Sequence, residues 1–242
     1  FFMSNFIRDI KEKYGQDFYV FGEFWNPDKD ANLDYLEKIE ERFDLVDVRL
    51  HMNLFEASQA GADYDLRTIF NDSLVQVKPD KAVTFVENHD TQRGQALEST
   101  VEEWFKPAAY ALILLREQGL PCVFYGDYYG ISGQYAQQDF KEVLDHLLAI
   151  RKDLAYGEQT DYFDDPNCIG WVRSGADNQS PLAILISNAQ ENYKTMFVGP
   201  EWAEQTFVDL LGNHSDQVTI NSDGYGDFPV AERSLSVWGL AN

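Results

Sequence analysis

The sequence is short of basic side chains, of cysteine and of long apolar runs, and each shortage excludes something. Only 19 Lys and Arg stand against 41 Asp and Glu, a formal net charge of −22 over 242 residues. A chain this acidic repels nucleic-acid phosphates and anionic lipid, so neither nucleic acid nor a membrane is expected as a partner. Two cysteines, Cys122 and Cys168, cannot build a disulfide framework. Cys122, set in an apolar run, is expected to be a buried hydrophobe. No apolar stretch approaches the roughly 18 residues needed to span a bilayer as a helix. The chain opens Phe1-Phe2-Met3 with no basic segment before it, so no secretory leader is legible and the compartment stays open. It runs straight into a helix-like segment, as a fragment or a processed chain would.

What is present is material for a core. Apolar residues make up 44% of the chain, with 17 Phe, 13 Tyr and 5 Trp. That argues against disorder despite the charge. The length fits one large domain, or a medium one and a small one.

Up to about residue 157 two patterns alternate. Short apolar runs at 18–22, 45–50, 82–86 and 120–125 have the length of buried parallel strands. Helical spacing fills 3–14, 33–42, 65–77, 101–118 and 140–152. Alternating strand and helix predicts an α/β layout with a parallel sheet. Four βα units are present, and a closed (β/α)₈ barrel needs eight. From 158 to 242 the candidate strands crowd together, at 168–173, 182–187, 194–198, 206–211, 217–220 and 234–238. Turn signals such as Gly199-Pro200 and Gly212-Asn213 separate them. That stretch predicts a small antiparallel β-sandwich.

In parallel α/β folds functional side chains project from the carboxyl ends of strands. The four ends read Gly22-Glu23-Phe24-Trp25, Arg49-Leu50-His51-Met52-Asn53, Glu87-Asn88-His89-Asp90-Thr91-Gln92 and Gly126-Asp127-Tyr128-Tyr129. Two carboxylates from different strand ends, beside aromatic faces, suit glycoside hydrolysis. One carboxyl must hold a proton. Phe24 and Trp25 beside Glu23 offer the apolar surroundings that role asks for. The other must stay ionised, which suits Asp90 among hydrogen-bonding neighbours.

Two bland readings complete the pass. Asp28-Lys29-Asp30-Ala31-Asn32-Leu33-Asp34 imitates the start of a calcium loop. Leu33 stands where glycine is needed and Ile39 where the closing Glu should be, so the segment reads as a capped helix start. His51 has no second His at ligand spacing and reads as barrel lining, not as a metal ligand.

The segments Gly22-Glu23-Phe24-Trp25 and Thr84-Phe85-Val86-Glu87-Asn88-His89-Asp90-Thr91-Gln92 resemble the acid/base and third-carboxylate segments of glycoside hydrolase family 13 α-amylases. Residues 98–107, 121–127, 162–164, 170–171 and 220–228 resemble the liquefying bacterial members in the same order. The resemblance implies the second half of a (β/α)₈ TIM barrel over 1–157 and a C-terminal all-β domain over 158–242. It implies endo-hydrolysis of α-1,4-glucosidic bonds with retention. Glu23 would be the general acid/base and Asp90 the carboxylate that stabilises the transition state. His89, Trp25, Asn88 and Gln92 would bind substrate. The nucleophile segment, an Arg followed two residues later by an Asp at the carboxyl end of a barrel strand, has no counterpart here. The implied partners are therefore an α-glucan or maltooligosaccharide and an N-terminal half carrying the nucleophile and the main calcium site. A non-catalytic glycan-binding protein on the same scaffold is the alternative. Liquefying relatives hold a further calcium between barrel and β domain, through main-chain oxygens and two aspartates. Here the matching loop is 61–64 and the aspartates are replaced by Asn167 and Asn188, so no metal ligand is expected on this chain.

Overall fold

A computed structural model describes residues 2–176 and 179–241. The chain opens with helix α1 (Phe2–Tyr14), then strand β1 (Phe21–Gly22), α2 (Lys29–Lys38), β2 (Asp44–Val46) and α3 (Val48–Ala60). After α4 (Leu74–Val77) come β3 (Ala82–Phe85), α5 (Lys106–Leu114), β4 (Leu120–Cys122), α6 (Tyr125–Tyr129) and α7 (Lys141–Asp153). The four strands pair in parallel in the order β1-β2-β3-β4. All four carboxyl ends therefore face one edge. A Cβ at Gly22 would meet the Phe43 ring at 2.5 Å, which is why glycine closes β1.

Several expected elements are redrawn. The run at 45–50 is a strand only to Val46, because buried Asp47 caps a helix there. Its Oδ1 accepts from the amides of Leu50 (3.0 Å) and Leu74 (3.1 Å), and its Oδ2 from Val75 (2.7 Å). Residues 49–53 thus lie in α3, not in a rim loop. The expected helix over 65–77 breaks into a 3₁₀ turn at Leu66–Thr68 and the short α4. Asp72 takes φ 58° and Ser73 restarts the helix by accepting from Gln76 N. At 28–34 the helix reading holds: Asp28 accepts from the amides of Asp30 and Ala31. Cys122 is exposed, not buried, because β4 is an open sheet edge; Cys168 is buried.

Among the described residues the remainder builds eight antiparallel strands, two more than the sequence announced. β5 (Gln159–Tyr162), β6 (Cys168–Arg173), β7 (Leu182–Ser187), β8 (Asn192–Phe197), β9 (Thr206–Asp209), β10 (Gln217–Thr219), β11 (Tyr225–Val230) and β12 (Leu235–Leu240) follow in order. Six form a sheet ordered β10-β9-β12-β7-β6-β5, and β8 pairs with β11. Cys168, Leu185, Met196, Phe207, Phe228 and Trp238 fill the space between the two sheets. The other face of the large sheet, with Ile169, Trp171, Ile184, Ile186 and Val237, shares one core with the helices around the parallel sheet. Strands buried on both faces read as continuous apolar runs, and β6 and β7 do. Arg116 closes the seam. Its guanidinium grips Asp161 through two 2.8 Å bonds and lies 4.5 Å from the Phe70 ring centre.

The open β4 edge has a chemical signature. Disulfide exchange with an aromatic disulfide reagent is expected to titrate one thiol rapidly in the native chain, Cys122, and the second, Cys168, only on unfolding. A Cys122→Ser chain that still reacts rapidly in the native state would refute the open edge.

Candidate active site

The rim is built from the carboxyl ends of β1 and β3. Glu23 follows β1 directly and is exposed. The apolar surroundings expected for it are absent. Side chains alternate along an extended segment, so neighbours in sequence part company. Phe24 stacks on Tyr35 of α2 with ring centres 4.5 Å apart. Trp25 instead reaches over β2. Its ring lies 6.2 Å from Phe85, the last residue of β3, and 6.1 Å from His51. Trp25 thereby links the Glu23 segment to the base of the loop that carries Asp90.

That loop is held by its own side chains. Asn88 Oδ1 accepts from the amides of Asp90 (2.9 Å) and Thr91 (3.0 Å), while Thr91 Oγ1 accepts from Asn88 N (2.9 Å). The carbonyl oxygen of the Asn88 side chain is thus committed to the turn. Thr91 O accepts from Ser99 N at 2.9 Å, folding the loop back. His89 and Asp90 are left accessible, with His89 Nε2 3.6 Å from Asp90 Oδ1. Gln92 is half-buried, its amide on Asn88 O at 3.3 Å.

His51 lines the interior, as expected, from an unexpected place on α3. Its ring stacks on Phe85, 5.0 Å between centres. Val86 O, 2.8 Å from Nδ1, can only accept, so Nδ1 carries the proton and Nε2 faces Ser99 Oγ at 2.7 Å. Burial pushes its pKa down to about 4.

Beneath the rim lies a cluster that sequence reasoning passed over. Lys106, at the start of α5, is fully buried. Its Nζ donates to Glu87 Oε2 at 2.5 Å and to Asp127 Oδ1. Asp127 also accepts from Tyr110 OH (2.6 Å) and Gln137 Nε2 (2.5 Å). Glu87 Oε1 finds no donor among the described residues. Burial pushes the Glu87 carboxyl up, and Lys106 opposes that shift. Glu87 immediately precedes Asn88 and Asp127 follows β4, so one ammonium pins two strand ends. The available signal was Lys106 inside an otherwise apolar stretch, between two acids at strand ends.

Among the described residues no group of three or more His, Cys, Asp and Glu could hold a metal. Where loop 61–64 meets Asn167 and Asn188, Asn167 Nδ2 donates to Ala62 O (2.7 Å) and Asn188 Nδ2 to Gly61 O and Tyr64 O (2.8 Å each). This donor set does not fit a cation.

Comparison with known proteins names the scaffold. A family model described as "Alpha amylase, catalytic domain" matches residues 1–201, and one described as "Alpha-amylase C-terminal" matches 182–239. The chain belongs to the alpha-amylase family. It is 46% identical to an alpha-amylase of Geobacillus stearothermophilus, over 98% of this chain and 43% of that protein. A glucan 1,4-alpha-maltohexaosidase of Bacillus sp. strain 707 is also 46% identical, over 98% and 46%. A cytoplasmic alpha-amylase of Escherichia coli is 40% identical, over 98% and 50%. The chain thus spans about half the length of these relatives. In fold it resembles an alpha-amylase of Geobacillus thermoleovorans solved with acarbose (TM-score 0.69, 21% identity, 99% of this chain and 56% of that one). It also resembles a three-domain cyclomaltodextrin glucanotransferase (TM-score 0.72, 19% identity, 98% and 52%). The parallel sheet is accordingly a partial barrel, followed by the C-terminal sheet domain.

Two stability measurements check these buried groups. Lys106→Met strands two carboxylates in the core and is expected to cost about 3–5 kcal/mol in urea unfolding, with Glu87→Gln added recovering part. A loss near zero would remove the network from its role. For His51 the unfolded ring takes up a proton near pH 6.5 and the folded ring resists until about 4. The unfolded state binds more protons in that window, so stability drops as pH falls through it, by on the order of 3 kcal/mol. The difference between the parent and His51→Gln should therefore shrink from pH 7 to pH 4. A difference constant with pH would contradict the buried neutral ring.

Proposed function

We propose that this chain is the acid/base-bearing half of an endo-acting α-1,4-glucan hydrolase that works with retention. What supports this most is the parallel sheet. It puts Glu23 and Asp90, two strands apart, on one rim, with Trp25 bridging the segments that carry them. In this reading residues 1–157 are the barrel half and 158–242 the C-terminal domain.

The chemistry needs three groups. Glu23 gives a proton to the glycosidic oxygen as the bond breaks and later takes one from the attacking water. A carboxylate on the complementary N-terminal half attacks the anomeric carbon and forms the covalent glycosyl intermediate. Asp90 holds sugar hydroxyls and steadies the oxocarbenium-like charge. His89 is exposed beside it and suits a hydroxyl contact. Trp25 offers a ring face to a leaving-side sugar. Gln92 borders the same loop. Asn88 contributes chiefly by shaping the loop, since its side-chain oxygen is already engaged.

Glu23 is exposed, and the described rim has no opposing wall. A cavity of about 610 Å³ lined by Tyr19, Asp44, Ala82, Gly119 and Leu120 opens at the amino ends of the strands, away from the rim. The chain by itself is therefore expected to leave starch intact. Joined to the complementary half, Glu23→Gln and Asp90→Asn should each lower kcat by about 10³-fold or more while long glucans still bind. Activity within tenfold of the parent for either variant would overturn that assignment. Full glucan binding with no hydrolysis by the parent assembly would favour the non-catalytic alternative.

A further inference from the structure

Between the barrel half and the C-terminal domain, the end of α3 meets the loops flanking β6 and β7. Three carbonyl oxygens, those of Gly61, Ala62 and Tyr64, converge there on two asparagine side chains. Asn188 is fully buried, and both hydrogens of its amide are spent, one on Gly61 O and one on Tyr64 O, each at 2.8 Å. Asn167 Nδ2 spends its two on Ala62 O (2.7 Å) and on Asn188 Oδ1 (2.9 Å). The backbone closes the ring, with Asn188 N on Asn167 O at 3.2 Å and Leu66 N on Pro166 O at 2.7 Å. Asp165, two residues before Asn167, has its Oδ1 occupied by the amides of Asn167 (2.7 Å) and Cys168 (3.1 Å).

A calcium ion would need six to eight oxygens at about 2.3–2.6 Å and carboxylate charge to offset its own. Here the three carbonyls that could serve already receive N–H donors. The positive ends of those bonds occupy the space an ion would take. Each buried polar atom of the cluster is matched to one of opposite sign.

We propose that this junction is a metal-independent amide–carbonyl clamp, in which Asn188 and Asn167 supply through hydrogen bonds the cohesion that a bridging cation would otherwise supply. The proposal concerns domain attachment and does not rest on the catalytic assignments. Two Asn→Asp changes would reverse it. They replace two NH2 groups, which carry the four N–H donors, with two acceptor oxygens facing three carbonyls, which repel unless a cation sits among them.

The test uses the full chain, with melting followed by circular dichroism and binding by dialysis against radiolabelled calcium, each in chelator and in millimolar calcium. The parent should melt at the same temperature in both. Calcium uptake, if any, should be unchanged in Asn188→Ala, which places that ion elsewhere. Asn188→Ala should melt at least about 5 °C below the parent and show no response to calcium. Asn167→Asp/Asn188→Asp should melt lower still in chelator and recover in calcium with one more bound ion. If that variant does not fold in chelator, its folding in calcium is the same result. Three outcomes overturn the proposal. The first is a parent that calcium stabilises through ions lost in Asn188→Ala. The second is Asn188→Ala melting with the parent. The third is an Asp pair as stable as the parent in chelator.

Discussion

Two carboxylates share one ammonium beneath the rim, and the geometry above is inherited from that arrangement. Lys106 cannot leave Glu87 without stranding a charge in the core, and it cannot leave Asp127 either. The lysine stands at the start of α5, the helix that joins β3 to β4. A single side chain therefore ties the connection to both strands it connects. One ammonium does not neutralise two carboxylates; burial pushes the Glu87 carboxyl up, and Lys106 opposes that shift. Tyr110 and Gln137 supply Asp127 with the remaining donors. The irregular loop from Asn88 to Thr100 springs from this anchored point, which is how a segment without regular structure can hold Asp90 in one place.

The two parts of the chain do not behave energetically as a barrel with an appendage. The large antiparallel sheet lends one face to the small sheet and the other to the barrel helices, so the core passes through the joint without a break. The two family matches overlap over residues 182–201, in line with a joint marked by the chain's course more than by its packing. Polar contacts finish what the apolar seam begins, with Arg116 among aromatic rings at one place and the asparagine clamp at another. Both work by pairing buried polar groups completely, since a half-paired cluster there would weaken the seam it closes.

Much of this was legible in the residues, for physical reasons. Strands β6 and β7 match their sequence runs at both ends, because burial on two faces leaves no polar position to blur the pattern. Strand β11 went unnoticed although it alternates outward Tyr225 and Asp227 with buried Phe228 and Val230. Gly226 and Pro229 disguised it, and among the described residues it pairs with β8 alone, so the missing proline amide costs little. Strand β5 was hidden by its sheet-edge position, where Gln159, Thr160 and Asp161 need no apolar face. Helix α3 was masked by the apolar run leading into it. The decisive signal, buried Asp47 capping two helix starts at once, is a long-range contact that no local window contains. Of the site, the motif residues were visible as motifs. Their surroundings were not: the apolar pocket expected of Phe24 and Trp25 dissolves once the backbone sends those rings in different directions.

That last difference carries its own consequence. A general acid must hold its proton against water, and an ionised neighbour steadies positive charge best where water is excluded. Glu23 is exposed and the Asp90 side chain is 42% exposed, so the roles proposed for them lack dry surroundings on this rim. The same sheet leaves β1 and β4 each with an unpaired edge, where Phe21 and Leu120 lie about half in solvent. Open edges and exposed apolar strand residues are costly in water, and pairing them with further parallel strands removes both costs. A surface that completes the sheet would also raise a wall opposite the rim, because parallel strands bring their carboxyl-end loops to the same edge. The closure that stabilises the sheet and the closure that dries the carboxylates are then one event. Assembly of the fold and activation of the site would have a single physical cause.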